Sequence, residues 1–439
     1  MDAEVVMIPY PAQGRINPAA AFAESLALHG LRVTLTTTIS LSETATFHHS
    51  SITIHPLSDG HEQVTQPETL EAYLARLKAN LSRSLAAFLD ECGQVKAVIY
   101  DSAMPWVLDI AHERGLLGAT FFTQPCSVTA VYYHLGQGLL RFPHNQDSTV
   151  NLPALPPLRP HHLPLFAHLD EPRITLDLVA HQFDNLERAD WIFFNSFYKL
   201  ESQVLDWMAR IWPVKTVGPT YLLLQKSKRS VSNHIINLFE SKQDEACQKW
   251  LDAKGSGSVV YVSFGSLASL QKEQMEELAH GLAMSNCPFL WVVRASEMDK
   301  IKNLDLEKGL VVEWCHQPHV LAHSAVACFL SHCGWNSTLE ALSHGVPLVA
   351  MAREYDQPTN AMFVEDVWGF GIGVRAGEDG IVSREEIAMR VKQVVEGDEG
   401  IELKKNASKW KSLAHEAVEQ GGTSATNIDE FVSAQRKIE

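Results

Sequence analysis

Short apolar runs alternate with segments of helical character along almost the whole chain, and this alternation constrains the fold more than any other feature. The first strand-like runs cover residues 5–10, 31–37, 97–100, 118–123, 191–194 and 214–217. A second set covers residues 259–264, 289–293, 310–313, 325–330, 346–350 and 371–374. Parallel strands need long crossover connections, which are usually helices. The alternation therefore predicts an α/β fold with two doubly wound parallel sheets.

The length of the chain indicates two domains. A single hydrophobic core rarely grows beyond about 250–300 residues, and this chain has 439. Between the two sets of runs, residues 219–244 lose the apolar pattern and turn polar, so a linker is expected there. We predict an N-terminal domain over residues 1–225, a linker over 226–245, a second domain over 246–408 and a final helix over 409–439.

Charge and composition exclude several classes of partner. The formal net charge is −16, and the only dense basic run, residues 226–229, lies in the predicted linker. Nucleic acid and anionic membrane surfaces are therefore not expected as partners. There is no basic and apolar leader, and no apolar stretch approaches the roughly 20 residues that span a bilayer. The seven cysteines, odd in number and without C-x-x-C spacing, indicate free thiols and a soluble cytoplasmic protein.

The window 314–357 contains the densest group of candidate ligand-binding side chains. An apolar run at 326–330 predicts a buried strand, and it leads through HCGWNS at 332–337 into a helix-like segment. The first N–H groups of a helix have no internal partner and lie at the positive end of its dipole, so they favour phosphate oxygens. Glu340, on the same helical face, could chelate a ribose diol. The spacing Ser337-x-x-Glu340 is equally consistent with a capping box that needs no ligand.

Both ends of this window carry further candidate groups. Trp314 follows the strand-like run 310–313, and its indole could stack on a base; a tryptophan buried in the core is the alternative. Asp356 and Gln357 follow the run 346–350. Because open parallel sheets bind ligands at the carboxyl ends of their strands, we expect these groups to gather in one pocket.

The sequence carries no recognisable metal site. The pairs Cys315-His316 and His332-Cys333 are adjacent residues, which point to opposite faces of a strand, and neither has a partner at zinc-ligand spacing. No two aspartates are spaced as Asp-x-Asp. We therefore expect neither a metal nor a cofactor, and helix amides together with His332 would neutralise a leaving diphosphate.

The window resembles the signature of the plant secondary-product UDP-glycosyltransferases, the family 1 glycosyltransferases. It reads WCHQPHVLAHSAVACFLSHCGWNSTLEALSHGVPLVAMAREYDQ, and VVMIPYPAQG, VIYDSAMPW, FFTQ and VYVSFGS also match, most closely in the branch that glucosylates small acids, phenols and terpenoids. The resemblance implies the GT-B fold, two Rossmann-like domains facing across a cleft, with residues 409–439 bracing the N-terminal domain. It also implies an inverting, metal-independent transfer of a sugar from a UDP-sugar to a small lipophilic acceptor.

The resemblance also assigns roles to individual residues. The residues expected on the donor side are Trp314 at the uracil, Gln317 and Glu340 at the ribose, His332, Asn336, Ser337 and Ser266 at the diphosphate, Trp335, Asp356, Gln357 and Thr123 at the hexose, and Gly14 without a specified group. A Gln at position 357 is similar to family members that prefer UDP-glucose, so glucose is the expected sugar. Thr123 could instead satisfy local backbone as a buried strand residue.

The acceptor side departs from the family pattern at one position. The family places a histidine base in the loop after the first strand, usually as Gly-His-x-Asn-Pro, whereas this chain has GRINP at 14–18. Arg15 therefore occupies the base position, and Asp101 is its expected carboxylate partner. An arginine, with a pKa above about 12, does not remove protons near neutral pH.

Three interpretations of Arg15 follow. In the first, Asp101 or another group takes the proton and Arg15 pairs with Asp101, or Arg15 is a change that lowers activity. In the second, the acceptor is an ionised carboxylic acid that needs no base, the guanidinium holds it bidentately, and the product is a glucose ester. In the third, the protein binds a nucleotide sugar with little or no turnover. Separately, His134 either lines an acceptor pocket or belongs to the core, and the core is favoured.

Overall fold

The structure, a computed structural model, describes residues 3–42, 46–47, 52–64, 66–140, 149–164, 172–225, 236–237, 243–266, 269–302, 304 and 306–437. The chain divides into two compact units. The N-terminal unit comprises Met1–Pro160, Phe166–Leu238 and Glu416–Glu439, and the C-terminal unit comprises His161–Leu165 and Phe239–His415.

The N-terminal unit is built on a parallel sheet. The strands of this unit are β1 (Glu4–Ile8), β2 (Arg32–Thr38), β3 (Thr46–Phe47), β4 (Thr53–Leu57), β5 (Val95–Asp101), β6 (Leu117–Phe122), β7 (Trp191–Phe194), β8 (Val214–Thr216) and β9 (Ile236–Asn237). Seven of them pair in the order β4-β2-β1-β5-β6-β7-β8, all parallel, and β3 pairs with β9 antiparallel. The strand order reverses between β1 and β5.

Helices cover this sheet. They are α1 (Gln13–Leu28), α2 (Ile39–Ser42), α3 (Leu70–Glu91), α4 (Trp106–His112), α5 (Cys126–Gly136), α6 (Pro172–Ala180), α7 (Tyr198–Met208) and α8 (Thr220–Gln225). α3 shows why they form: Thr69 accepts a hydrogen bond from Ala72 N and caps the first turn, and leucines recur every fourth residue. Those leucines are buried along one helical stripe, which packs against the sheet core.

The C-terminal unit repeats this plan. Its strands are β10 (Val259–Ser263), β11 (Phe289–Val292), β12 (Gly309–Val312), β13 (Val326–Ser331), β14 (Leu348–Ala350) and β15 (Gly371–Gly373). They pair in parallel in the order β12-β11-β10-β13-β14-β15, so the order reverses between β10 and β13. Every residue of β10 is buried, which explains why the strand reads as a continuous apolar run.

The remaining helices are α9 (Gln243–Asp252), α10 (Lys272–Ser285), α11 (Gln317–Ala322), α12 (Trp335–His344), α13 (Gln357–Met362), α14 (Arg384–Val395), α15 (Asp398–Val418) and α16 (Thr423–Arg436). A π-helical turn, Phe363–Val367, extends α13. α16 packs within the N-terminal unit, where Ser424 donates a hydrogen bond to Gly218 O at 2.7 Å.

Two predicted boundaries need correction. The segment 409–439 is not one helix. α15 already begins at Asp398, and a glycine pair separates it from α16. Gly421 has φ +83°, and a Cβ on Gly422 would lie 2.1 Å from Glu416 O, so neither position accepts a helical side chain. The predicted linker 226–245 lies largely outside the described residues, and its last residues belong to α9, because Gln243 already begins that helix.

Two expectations from composition concern membrane spans and disulfides. Within the described ranges, no helix combines the length and apolar character needed to cross a bilayer. All seven cysteines are free thiols, as their spacing predicted.

Candidate functional site

Three donor-side candidates follow strands of the C-terminal sheet. Ser266 follows β10, His332 follows β13 directly, and Trp314 lies between β12 and α11. All three therefore lie at the carboxyl edge of one parallel sheet, whose strand order reverses between β10 and β13. Open α/β sheets bind ligands in the crevice at such a reversal.

The His332 ring is held between two glycine backbones. A Cβ built on Gly265 would lie 2.8 Å from Nε2 of His332, and one on Gly334 would lie 2.5 Å from the same atom. Gly265 also has φ +72°, a conformation that side chains disfavour. The loops after β10 and β13 thus approach the imidazole more closely than any other residue type would permit.

Burial lowers the pKa of His332 to about 4, and a hydrogen bond with the Ser263 backbone opposes the shift only in part. An uncharged imidazole brings no positive charge to a diphosphate, but its N–H can still donate a hydrogen bond to a phosphate oxygen. His332 therefore remains a candidate for the diphosphate. The start of α12 supplies positive potential beside it.

α12 begins at Trp335, with Gly334 in the capping position and no hydrogen bond from a capping side chain. The capping-box alternative for Ser337 and Glu340 is therefore wrong, because Ser337 lies inside the first turn rather than before it. Asn336 is partly buried and Ser337 is buried in the same turn. The positive end of the helix dipole thus lies beside His332, where it favours an anion.

Gln317, the first residue of α11, connects the expected ribose-binding groups. Its Nε2 donates hydrogen bonds to Glu340 Oε2 at 2.7 Å and to Ser337 Oγ at 2.9 Å. Its Oε1 accepts a hydrogen bond from the Tyr261 hydroxyl at 3.2 Å. Burial raises the pKa of Glu340 to about 7, although the bond from Gln317 opposes this shift.

The two tryptophans of the window differ in their surroundings. Trp314 is only partly buried in the loop between β12 and α11, so the alternative of a core tryptophan is not supported. Trp335 is 3% exposed, and its ring packs against Trp368 with centroids 6.0 Å apart. The indole of Trp335 therefore lies in the interior, and the expected contact of Trp335 with the hexose stays a prediction.

Asp356 and Gln357 organise the loop that precedes α13. Gln357 is buried, and its Oε1 accepts hydrogen bonds from the N–H groups of Arg353 and Glu354, each at 3.0 Å. Asp356 Oδ2 accepts a bond from Asn360 Nδ2 at 2.8 Å, and the same nitrogen donates to Cys333 O at 2.9 Å. Asn360 therefore ties this loop to the loop before α12.

The acceptor-side candidates lie at the corresponding edge of the N-terminal sheet. Arg15 is in the first turn of α1, Asp101 ends β5 and Thr123 follows β6. Arg15 Nη1 donates to Thr123 Oγ1 at 2.8 Å and lies 3.7 Å from Asp101 Oδ1. The Thr123 hydroxyl thus has a side-chain partner in Arg15.

Asp101 lies behind Arg15. Its side chain is 2% exposed, whereas that of Arg15 is 28% exposed. Burial raises the pKa of Asp101, the Arg15 guanidinium lowers it, and Asp101 Oδ1 also accepts a bond from Ala103 N at 2.9 Å. Arg15 uses only Nη1 in hydrogen bonds and ion pairs to the described residues, so its Nε and Nη2 donors remain for another acceptor.

Three other candidates complete the description. Gly14 is exposed at the start of α1, and Ser266 is exposed while its carbonyl accepts a bond from Arg294 Nη1 at 2.9 Å. His134 is buried on α5, with its ring 5.1 Å from that of Trp207, as predicted for a core histidine. Among the residues that the structure describes, no group of His, Cys, Asp and Glu could hold a metal ion.

Comparison with known proteins identifies the family. Residues 236–420 match the model of the UDP-glucoronosyl and UDP-glucosyl transferases. The chain is 44% identical to UDP glycosyltransferase 9 of Catharanthus roseus, over 98% of this chain and 96% of that protein. It is 40% identical to UDP-glucosyltransferase 74AE2 of Panax ginseng, over 98% of each. The chain belongs to the UDP-glycosyltransferase family.

Solved structures agree with this assignment. The crystal structure of Os79 from O. sativa in complex with UDP matches with a TM-score of 0.91 and 36% identity, over 98% of this chain and 100% of that chain. The predicted GT-B fold and the family resemblance are thereby confirmed. As a UDP-glycosyltransferase, the protein binds a UDP-sugar and a small molecule and transfers the sugar to that acceptor.

Three residues of this UDP-glycosyltransferase were missed in the sequence. The only signal for Gly265 in the sequence is its place after a strand-like run. The only signal for Asn360 is its spacing of four residues from Asp356 on a helix. Tyr261 lies inside an apolar strand, and nothing in its local pattern indicates a partner in α11. Their roles depend on contacts that the fold creates.

Proposed function

We propose that this UDP-glycosyltransferase transfers glucose from UDP-glucose to a small lipophilic acceptor, with inversion and without a metal ion. The acceptor oxygen belongs to a hydroxyl or carboxyl group, and an ionised carboxylate fits best. The observation that carries the acceptor class is Arg15, which occupies the base position with Nη1 anchored and with Nε and Nη2 free of bonds to the described residues.

The donor part of the proposal rests on the C-terminal unit. The first turn of α12 offers amide groups and a helix dipole to the diphosphate, so the leaving group is stabilised without a cation. Glu340 and the partly exposed Trp314 suit a ribose and a uracil, respectively. Glucose is supported by the resemblance at Gln357 and by the names of the family model and the ginseng relative.

The acceptor part rests on charge. A carboxylate oxygen attacks C1 of the glucose from the face opposite the diphosphate, a C1–O ester bond forms, and the C1–O bond to UDP breaks. No proton has to be removed, so the absence of an imidazole at residue 15 is not a defect. Asp101 is a poor base for an external hydroxyl, because it is 2% exposed behind a permanently charged guanidinium. A guanidinium edge with two parallel N–H groups matches a carboxylate bidentately.

A matched pair of acceptors tests the proposal. UDP release would be measured with benzoate and with phenol, which share a ring and differ in the reacting group. The wild-type enzyme is expected to use benzoate at least tenfold faster than phenol, because phenol cannot form the bidentate charge-assisted contact with Arg15. Arg15→His should reverse this preference by supplying a base. Arg83→His, an exposed change on α3, should behave as the wild type.

A second candidate function is favoured by the same ion pair. Because Arg15 and Asp101 neutralise each other where the family has a base, the protein could bind the nucleotide sugar without turnover. That interpretation predicts UDP binding in calorimetry and no UDP release with either acceptor from the wild type. Phenol outpacing benzoate in the wild type would contradict the carboxylate proposal while leaving glucosyl transfer intact.

A further inference from the structure

A chain of hydrogen bonds runs from the centre of the C-terminal sheet to the expected ribose site. Tyr261, on β10, is 1% exposed, and its ring packs on Phe329 of β13 with centroids 4.7 Å apart. Its hydroxyl donates to Gln317 Oε1 at 3.2 Å and lies 3.5 Å from Cys315 Sγ. Gln317 then donates to Ser337 and Glu340. One strand and two helices are thus connected through one amide.

The amide of Gln317 is held at both ends in this arrangement. Its two Nε2 hydrogens point to Ser337 Oγ and Glu340 Oε2, and its oxygen accepts the Tyr261 hydroxyl. A primary amide has only two N–H donors, so a ribose hydroxyl that contacts Gln317 must donate to the second lone pair of Oε1. By contrast, the bonds to Glu340 within the described residues engage only Oε2. Its Oε1 is the group left to accept hydrogen bonds from a ribose.

The orientation of this amide depends on Tyr261. An amide flipped by 180° would direct its oxygen at the carboxylate of Glu340 and its N–H groups at the Tyr261 oxygen. The donated hydrogen of Tyr261 selects the orientation in which the N–H groups face Glu340. Cys315 can donate its weak S–H to the phenol oxygen, which leaves the phenol hydrogen for the amide.

We propose that Tyr261 is a positioning residue for ribose recognition, which acts by orienting Gln317 so that Glu340 presents Oε1 to the two ribose hydroxyls. The inference rests on the proposed donor site in the C-terminal unit. It gives Gln317 a role in supporting Glu340. Tyr261 itself touches no substrate.

The test compares two ligands on two proteins. The dissociation constants of UDP and of 2′,3′-dideoxy-UDP would be measured by calorimetry for the wild type and for Tyr261→Phe, which keeps the ring and removes the hydroxyl. Loss of one neutral hydrogen bond predicts UDP binding about three- to tenfold weaker in the variant. Binding of the dideoxy ligand should be unchanged, because it lacks the hydroxyls that Glu340 holds.

Tyr100→Phe is the matched control. Tyr100 is a strand tyrosine of the other sheet, 2% exposed and hydrogen-bonded to Thr120, so its variant should bind both ligands as the wild type does. If Tyr261→Phe does not fold, Gln317→Met, a change at a partly exposed helix start, must give the same pattern.

The outcomes separate the two proposals. Equal weakening of both ligands, or no weakening of UDP in a folded Tyr261→Phe or Gln317→Met protein, overturns the positioning role. Failure of the wild type to bind UDP at millimolar concentration overturns the proposed donor site itself. If the wild type binds both ligands equally well, the proposed nucleotide site stands, but ribose recognition by Glu340 is overturned.

Discussion

The two sheets place their functional residues at the same topological point but use different physics there. In the C-terminal unit, His332 is neutral, Glu340 has a pKa near 7, and hydrogen bonds and glycine contacts hold the groups in place. In the N-terminal unit, Arg15 keeps a permanent charge and faces a buried carboxylate. Under the proposed function, fitted, titratable groups recognise the donor and a fixed charge recognises the acceptor.

The two sites should tolerate substitutions differently. A close-packed site is sensitive to an added atom, because a neighbouring side chain must leave its position to make room. Arg15 and Asp101 interact by charge at a distance of 3.7 Å. Such an interaction tolerates small displacements of the side chains but not loss of the charge. The predictions below separate these behaviours.

The largest effect is expected for Gly334→Ala. The new Cβ would lie 2.5 Å from His332 Nε2, so the ring must leave its position beside α12. A displacement of about 1 Å in an active site can lower the rate roughly a hundredfold, so sugar transfer measured as UDP release should slow by about that factor. Gly93→Ala is the control, because a Cβ there meets nothing within 4 Å. A wild-type rate in a folded Gly334→Ala protein would show that the glycine contacts do not set the donor site.

A tenfold effect is expected from pH. Glu340, with its pKa raised to about 7, is about one-tenth ionised at pH 6 and mostly ionised at pH 8. The carboxylate accepts hydrogen bonds from the ribose hydroxyls more strongly than the protonated acid does, so UDP-glucose should bind about tenfold more tightly at pH 8 than at pH 6. UDP-glucose is the right ligand, because it lacks the terminal phosphate whose second pKa lies near 6. Calorimetry at both pH values measures the change.

Glu340→Gln sharpens the same measurement. An amide does not titrate, so the variant should show no change in affinity between pH 6 and pH 8. A raised carboxyl pKa also means that the folded protein binds a proton more tightly than the unfolded chain does, so stability falls as pH rises from about 4.5 to 7. The variant should therefore lose that decline in thermal stability. A variant that keeps the full pH dependence would assign it to another group.

Much of the fold and part of the site could be predicted from sequence. The strands could be placed because buried parallel strands read as apolar runs, and the window 314–357 because its groups follow such runs. The break between α15 and α16 was readable in Gly421-Gly422, a turn signal that the helical pattern on either side obscured. These features depend on local sequence alone.

The limits of prediction at the site have a different origin. The low pKa of His332 reflects its burial between the loops after β10 and β13, which are far apart in sequence. The sequence does not reveal that the Trp335 indole packs on Trp368. The hydrogen bond that Gln317 accepts comes from Tyr261 of a distant strand. Long-range contacts decide the role of each residue, whereas the motif only selects the candidates.

The smallest effect is expected for Asp101→Asn, which tests how much the charged site depends on its buried partner. Burial raises the pKa of Asp101, so its ionised form opposes folding, and stability falls as pH rises above the ordinary carboxyl pKa. Asparagine keeps the shape and removes that cost. The melting temperature at pH 7 should rise by about 2–4 °C, the shift that roughly 1 kcal/mol produces in a domain of this size.

The same variant should change the Michaelis constant for a carboxylate acceptor by no more than about threefold. Thr123 still accepts a hydrogen bond from Arg15 Nη1. The new amide oxygen also replaces part of the contact between Arg15 and the Asp101 carboxylate. Asp90→Asn is the control, since Asp90 forms an exposed ion pair with Arg114, and such pairs contribute little to stability. A melting temperature that falls by several degrees in Asp101→Asn alone would mean that attraction to Arg15 outweighs the cost of burial. The acceptor site would then depend on a fitted ion pair, and the contrast between the two sheets would disappear.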